Sequence, residues 1–304
     1  MPSGNEPLIL AVDSGGSFVK YALCRPDGRP EPGSLGSLPV DSGSAADPIL
    51  SVFASVFARA SSYADSISGS IIAVGVSTPG PFDFEGGRSL MRHKFASIFG
   101  LSLRPYFAGG TDLPVVFEQD AVAFLLGEQG VGAAQGFSNV AACTLGTGLG
   151  YACMRRGQVL RNELGSPHLG LYKVPLREGV AEDYVSGRGI VKRWRAVCGP
   201  DQADLSVKEI GALAEAGNEV AAAVYADTGR YLGEALFTEV TMRETECLVL
   251  GGQISRSFDL MGPSLGQALS GCPSLKKICR AEHIDYAALI GAALKAAKME
   301  EVIR

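Results

Sequence analysis

The sequence predicts an α/β protein built from two related halves. Apolar strand-like runs alternate with helical patterns along the chain, and a strand, a glycine turn and a second strand come early in it. The same order restarts at Asn139. We interpret the restart as an internal duplication.

Composition supports this class and excludes several others. The chain has 304 residues, of which 46% are hydrophobic and 19% charged, as expected for a globular protein with about two domains of ~150 residues each. The net charge is −5 without a basic block, so nucleic acid is not an expected partner. No apolar run reaches the ~18 residues of a membrane span, and MPSGNEP does not resemble a signal peptide. A cytoplasmic protein is expected, with no membrane partner.

The seven cysteines favour the same location. They show no C-x-x-C spacing and lie mostly in apolar stretches, which predicts free, buried thiols rather than disulfides or zinc ligands.

In the first half, Leu8 to Asp13 is an apolar strand, followed by DSGGS and the extended run FVKYALCR. Asp47-Pro48 offers an N-cap and an N1 proline to a helix, whose apolar positions run at helical spacing to Ala60. Residues 71–81 predict a buried strand that runs into a turn, and residues 115–129 a short strand that enters a helix.

In the second half, NVAACTLGTGLGYACMR predicts a strand, a Thr/Gly turn and a strand. Helices are predicted for 206–216 and 218–242, followed by the strand and turn CLVLGGQISRS. The last segment, after Asp285-Tyr286, has helical propensity throughout.

The three glycine turns suggest anion binding. In DSGGSFVK, glycines allow backbone N–H groups to approach an anion, and Asp13 is placed to hold a hydrated Mg²⁺. A hairpin turn that needs positive φ at Gly15 and Gly16 would explain the same residues. LGTGLG is a second such turn, and VLGGQIS an uncharged third that suits a flat apolar ring. Neither a Walker A loop nor a Rossmann fingerprint occurs.

These motifs, in this order, resemble the ROK family of the sugar kinase, heat-shock ATPase and actin superfamily. DSGGSFVK and TLGTGLG resemble its two phosphate motifs, and GVSTPGPFD its sugar-side turn. LPVVFEQDAVAFLLGE resembles its catalytic block, LGGQIS its adenosine motif and ALIGAAL its closing helix. The resemblance covers almost the whole chain.

The resemblance implies a two-lobed ribonuclease-H-like fold of the actin/hexokinase type, with nucleotide and sugar meeting in an interlobe cleft. We expect an N-terminal lobe of 1–120 joined by the C-terminal helix 286–304, and a second lobe of 121–285. Family members are often dimers or tetramers, which makes a homodimer the expectation.

The resemblance also assigns the phosphate side. Asp120 would be the general base, although a helix N-cap would explain the same aspartate. Asp13 would hold Mg²⁺ through water, and Lys20 faces either the cleft or solvent. The other residues expected to contact ATP are Gly15, Gly16, Ser17, Gly146, Thr147, Gly148, Gly251 and Gly252.

On the sugar side the sequence departs from the family. Thr78 and Gly80 lie in the sugar-side turn, but Gln119 replaces the usual Asn before the catalytic Asp. The family's G-E-I-G-H becomes NELGSPH, which we align so that Glu163 takes the glutamate position. An alternative register places His168 there, and a backbone-bonded loop histidine is a third interpretation.

Two further substitutions bear on metal and substrate. No cysteine occurs between residues 154 and 197, so the family's zinc loop is missing and no structural zinc is expected. Glu182 still matches the glutamate that ends that loop, as a sugar ligand or an exposed helix-start glutamate. Lys94 replaces a sugar-facing amide, which suggests an anionic substrate or simple surface charge.

The expected function is an ATP- and Mg²⁺-dependent kinase for the 6-hydroxyl of a hexose or N-acetylhexosamine. A second hypothesis is a non-catalytic sugar or nucleotide sensor. DNA-binding regulation is disfavoured because the first phosphate strand already begins at Leu8. A third keeps the kinase but uses polyphosphate, because NELG resembles polyphosphate glucokinases and Arg155, Arg156 and Arg161 could form a basic track.

Overall fold

The computed structural model describes residues 5–198 and 204–303. Contacts divide the chain into two units. Unit 1 combines Met1–Gly132, Arg161–Ser166 and Tyr286–Arg304, and unit 2 combines Ala133–Leu160 and Pro167–Asp285. The chain therefore leaves each unit and returns to it.

The sheet of unit 1 has the strand order β3-β2-β1-β4-β7. Strand β1 pairs antiparallel with β2 and parallel with β4, and β4 pairs parallel with β7. A two-stranded hairpin, β5 with β6, stands apart from this sheet. The bounds are β1 Glu6–Ser14, β2 Phe18–Cys24, β3 Gly36–Pro39, β4 Gly69–Thr78, β5 Phe82–Asp83, β6 Arg88–Ser89 and β7 Val115–Gln119.

Helices cover both faces of this sheet because alternate residues of β1 point to opposite sides. Leu8, Leu10 and Val12 belong to one core with residues of helix α1, and Ile9 and Ala11 to a second core with residues of α9. The helices of unit 1 are α1 Ala46–Ser66, α2 Arg104–Phe107, α3 Asp120–Val131 and α9 Ala287–Ile303, with a 3-10 turn at Ala96–Ile98.

Helices α3 and α9 approach each other closely at two glycines. A Cβ on Gly291 would lie 1.8 Å from the Ala123 carbonyl oxygen, and one on Gly127 would lie 2.0 Å from the Ala287 carbonyl oxygen. Side chains at either position would push the helices apart, so this packing requires glycine.

The sheet of unit 2 repeats the arrangement in the order β10-β9-β8-β13-β14. Its β8–β9 pair is antiparallel, and β8, β13 and β14 are parallel. The bounds are β8 Val140–Leu145, β9 Leu149–Arg155, β10 Gln158–Val159, β13 Cys247–Gly251 and β14 Lys277–Arg280, with a separate hairpin of β11 Pro175–Leu176 and β12 Gly179–Val180.

The helices of unit 2 pack on this sheet around a core that includes Trp194 and Tyr225. They are α4 Ala181–Val185, α5 Gly187–Val197, α6 Val207–Glu215, α7 Glu219–Met242 and α8 Phe258–Ala268, with 3-10 turns at Leu171–Lys173 and Gln253–Ser257.

The long predicted elements are present, with one difference in the start of a helix and two in the bounds of the units. Helix α1 begins at Ala46 with Ala45 as N-cap, so Asp47 lies in the first turn and its predicted capping role is wrong. Unit 1 continues to Gly132, beyond the predicted boundary at residue 120, because α3 packs against α9. It also takes in 161–166, which the predicted domains assign to the second lobe.

All seven cysteines lie in the described part of the chain, and all are free. Among residues 5–198 and 204–303, no helix combines the length and the apolar character needed to cross a bilayer.

Candidate active site

Asp120 is the first residue of α3, directly after β7 ends at Gln119. Gln119 caps the helix, because its Oε1 accepts a hydrogen bond from the Val122 amide at 3.1 Å. The Asp120 Oδ1 accepts from the Ala121 amide at 2.8 Å and from the Gln119 side-chain nitrogen. The alternative of Asp120 as N-cap is therefore wrong, and both amide atoms of Gln119 already have partners.

The surroundings of Asp120 favour its protonated form. Burial raises its pKa to about 6, and repulsion from Asp13 adds to this, while the Ala121 hydrogen bond and the attraction of Lys94 oppose it. A carboxyl group with this pKa is ionised at neutral pH yet accepts a proton more readily than an ordinary aspartate. It is suited to general-base chemistry.

Asp13 lies in β1, opposite Ser77 of β4 and Lys20 of β2. The Ser77 hydroxyl donates to Asp13 Oδ1 at 2.9 Å. Burial raises the pKa of Asp13, against the Ser77 hydrogen bond and the attraction of Lys20. Because Asp13 and Asp120 repel each other and carboxylate oxygens are hard ligands, this donor set fits Mg²⁺.

The first glycine turn follows Asp13 without left-handed backbone. Neither Gly15 nor Gly16 has a positive φ, so the alternative of a positive-φ hairpin turn is wrong. A Cβ on Gly15 would lie 2.9 Å from the Phe18 carbonyl oxygen, so lack of space requires glycine there. At Gly16, the Cβ position lies 3.6 Å from Cδ of Lys94, an exposed residue that crosses the turn.

Four further predicted site residues of unit 1 lie in strands and turns of that unit. Thr78 is buried and pairs with Gln119 across β4 and β7. Gly80 forms a cis bond to Pro81, and Ser17 is exposed. Glu163 is also exposed. It lies on the turn 162–166, which belongs to unit 1 although residues of unit 2 precede and follow it in the sequence.

Glu118, which precedes Gln119, is a charged residue that sequence reasoning missed. It is 1% exposed and pairs with Arg161 and Lys295 at 2.7 and 2.8 Å. Burial would raise its pKa, but the Arg161 hydrogen bond and the attraction of Lys295 outweigh it and lower the pKa. A glutamate inside an apolar strand was the available signal, because such residues need charged partners.

In unit 2, the second glycine turn joins β8 to β9 and is fixed by Glu182. The Glu182 carboxylate accepts from the Leu149 amide at 3.0 Å and from Arg188 at 2.8 Å. A Cβ on Gly148 would lie 2.8 Å from Glu182 Oε2. The Gly187 amide, at the start of α5, donates to the Gly146 carbonyl at 2.8 Å.

The third turn packs against the second. Gly252 has a φ of 79°, and a Cβ there would lie 2.3 Å from the Leu145 carbonyl oxygen. Gly251 ends β13, so the chain passes from a buried strand directly into this contact.

A cavity of about 1260 Å³ lies within unit 2, lined by Gly146 and Thr147 of the second turn and by Gln253 and Ile254 after the third. Apolar and aromatic side chains join cations around it. These other lining residues include Val191, Val207 and Tyr225, and the cations Arg188, Lys192, Arg195, Lys208 and Arg256. Apolar walls with several cations suit a nucleotide or another phosphate-rich donor. The cations of α5, Arg188, Lys192 and Arg195, were not predicted from the sequence, although their helical spacing was a usable signal.

His168 has partners inside unit 2 on both ring nitrogens. Its Nε2 lies 2.6 Å from Glu239 Oε1, and its Nδ1 lies 3.7 Å from the Cys153 sulfur. Ligand atoms of these three residues lie within 4.8 Å of one another, as in a metal site. The same Glu239 oxygen also accepts from Arg243 at 2.9 Å, so a hydrogen-bonded network accounts for the cluster.

Two arginines of the predicted basic track are paired with carboxylates. Arg161 belongs to unit 1 and pairs with Glu118, whereas Arg155 pairs with Glu244 in unit 2.

The structure therefore divides the predicted site residues between the units. Unit 1 holds Asp13, Gly15, Gly16, Ser17, Lys20, Thr78, Gly80, Gln119, Asp120 and Glu163, and unit 2 holds Gly146, Thr147, Gly148, His168, Glu182, Gly251 and Gly252.

Comparison with known proteins decides the family. The model of the ROK family matches residues 47–299. The chain belongs to the ROK family. The resemblance inferred from the motifs is thereby confirmed.

Curated and solved ROK-related proteins agree with this assignment. A glucokinase of Streptomyces coelicolor is 30% identical over 177 residues, which are 49% of this chain and 54% of the relative. The chain thus spans about half the length of the curated relatives it matches.

Among solved structures, a ROK family glucokinase from Streptomyces griseus in complex with glucose and AMPPNP has a TM-score of 0.78 at 25% identity, covering 96% of this chain and 99% of that one. A ROK family transcriptional regulator, a homolog of the E. coli MLC protein, has a TM-score of 0.81 at 23% identity, covering 98% and 79%. The predicted fold class is confirmed.

Proposed function

We propose that this ROK protein is an ATP- and Mg²⁺-dependent sugar kinase that phosphorylates the 6-hydroxyl of a hexose or N-acetylhexosamine. Asp120 carries the proposal, as a carboxylate held at the start of α3 with a pKa of about 6. It accepts the proton of the sugar hydroxyl as that oxygen attacks the γ-phosphorus.

The other groups of the proposed site bind and orient the nucleotide and the sugar. The glycine turns of unit 2 and the cavity cations hold the nucleotide, and Gly15, Gly16 and Ser17 contact the transferred phosphoryl group. Asp13 would hold Mg²⁺, which when bound neutralises charge on the phosphates. Thr78, Gly80, Gln119, Glu163, His168 and Glu182 are the proposed sugar contacts. Gln119, His168 and Glu182 would have to exchange present hydrogen bonds for bonds to sugar hydroxyls.

The relatives support this assignment. The S. coelicolor relative is named a glucokinase, and the S. griseus structure contains glucose with a nucleotide. The free cysteines are consistent with the proposed reducing, cytoplasmic location.

The test is coupled ADP release with Mg-ATP across glucose, mannose, fructose, allose, N-acetylglucosamine and N-acetylmannosamine. Turnover of one of these sugars, with phosphorus NMR placing the phosphate on O6, is the expected result. Saturable sugar binding without any turnover would instead indicate a non-catalytic sensor.

Polyphosphate is a second candidate donor. The observation that favours it is the set of cations around the cavity, among them Arg188, Lys192 and Arg195 of one helix. Comparing ATP with polyphosphate at equal phosphate concentration separates the two donors. Selective loss of the polyphosphate rate in Lys192→Gln would support the second.

A further inference from the structure

Glu118 lies in β7, the strand that leads to Asp120, and pairs with residues from two other segments of the chain. Arg161 donates to its two carboxylate oxygens at 2.9 and 2.7 Å, and Lys295 donates at 2.8 Å. The Gln119 amide donates to Oε1 at 2.9 Å. A buried carboxylate with this many charged donors fixes their positions strongly.

Arg161 extends this connection to the following turn. Its NH1 also donates to the Gly165 carbonyl at 2.8 Å. Within the turn, Asn162 Oδ1 accepts from the amides of Leu164 and Ser166 at 3.0 and 3.1 Å. One guanidinium therefore joins the compact turn that carries Glu163 to the carboxylate of Glu118.

The segments held in this way are distant in sequence. Residues 161–166 and 286–304 belong to unit 1, yet each is preceded along the chain by residues of unit 2. Their neighbours along the chain do not hold these two segments in unit 1. Non-covalent contacts within unit 1, such as those of Arg161 and Lys295 with Glu118, hold them there.

We propose that Glu118 is a positioning residue that acts through Arg161 to hold the turn 162–166, and so places Glu163 for the acceptor sugar. This inference rests on the proposed function. It assigns Glu118 and Arg161 no contact with substrate. Their effect is on acceptor binding and passes through Glu163.

The experiment compares Arg161→Met with Arg161→Lys and with a matched control, Arg155→Met, whose wild-type residue pairs with Glu244 in unit 2. Arg161→Met should raise KM for the sugar about tenfold while kcat and KM for ATP stay within about twofold. Arg161→Lys should recover part of the loss, since an ammonium keeps the charge but lacks the fork that reaches Glu118 and Gly165 together. Arg155→Met should change none of these constants.

A double variant tests the route of the effect. If Arg161 acts through Glu163, Arg161→Met combined with Glu163→Gln should be no worse for the sugar KM than the poorer single variant. Multiplied effects would overturn the proposal. So would equal losses in kcat and in both KM values, which would indicate only a damaged fold.

Hydrogen exchange keeps the inference separate from the proposed function. Even if the wild type phosphorylates no sugar, Arg161→Met should speed exchange of the 162–166 amides by tenfold or more without altering exchange in β8. Unchanged exchange in 162–166 would overturn the positioning role whether or not the protein is a kinase.

Discussion

Units 1 and 2 have the same sheet topology but different chemistry where the first hairpin turns. In unit 1, β1 carries the partly buried carboxylate of Asp13, and β7 leads to Asp120. In unit 2, β8 enters an uncharged Thr/Gly turn beside a cavity with cations. The shared scaffold offers strand ends, and a few residues at those ends give unit 1 a carboxyl group with a raised pKa and unit 2 a cavity with cations. The proposed function uses the first for proton transfer and the second for donor binding.

The largest effect is expected from removing the Asp120 carboxylate of unit 1, a change that leaves the cavity of unit 2 intact. Asp120→Asn should lower kcat by about 10²–10⁴-fold, the usual contribution of a general base, while ATP affinity is unchanged. Steady-state kinetics and calorimetric nucleotide titration measure the two effects. Asp65→Asn, at an exposed position of α1, is the control expected to behave as wild type.

The next largest effect is expected from disturbing the third glycine turn, in unit 2. Gly252→Ala should destabilise the protein by ~1–3 kcal/mol because its backbone, with a φ of 79° and a ψ of 167°, is one that essentially only glycine adopts, and further through the contact with Leu145. ATP affinity should fall as well. Thermal unfolding and nucleotide titration measure this, with Gly266→Ala of α8 as the control, because a Cβ at Gly266 meets no atom within 4 Å and the residue does not line the cavity. Equal behaviour of the two variants would contradict the packing argument.

A third prediction concerns the stability cost of the buried carboxylate. Because the pKa of Asp120 is raised in the folded state, its contribution to stability is complete below the unfolded-state pKa of ~4 and is lost as pH rises through about 6. Asp120→Asn should therefore be more stable than wild type by about 1–3 kcal/mol at pH 7.5. The difference should shrink towards pH 4, measured by urea denaturation. A constant difference would show that ionisation is not its cause.

The smallest predicted effect compares a lysine charge near Asp120 in unit 1 with a lysine charge in the cavity of unit 2. Removing the Lys94 charge should raise the pKa of Asp120, because its attraction now lowers that pKa. Lys94→Met should move the acidic limb of the activity profile up by a few tenths of a pH unit. Lys192→Met, in the cavity of unit 2, should not move it.

Much of the fold could be predicted because its signals are local. Apolar strands such as Leu8 to Asp13, and the helix of 218–242 with its Asn218 cap, carry strong periodicity and end signals. The start of α1 could not be predicted, since Ala45 makes no side-chain cap and Asp47-Pro48 imitates one. The short β-hairpins lack such signals, whereas α5 was missed although Ser186 caps it and its cations run at helical spacing.

For the site, the sequence revealed residues but not their partners. Motif order predicted a site at Asp13, Asp120 and the glycine turns, and their roles stay predictions. The Gln119 cap of α3 is a local hydrogen bond to Val122 that sequence reasoning did not single out, whereas the pairing of Arg161 with Glu118 joins segments distant in sequence. Local pattern contains no information about such pairs.

The pH dependence of kcat/KM for the best sugar tests the central claim most directly. At limiting substrate it reports ionisations of the free protein. We predict a rate that falls tenfold per pH unit below an apparent pKa of about 6 and is level from pH 7 to 8. A profile that stays level down to pH 5 would contradict the assignment of Asp120 as the base.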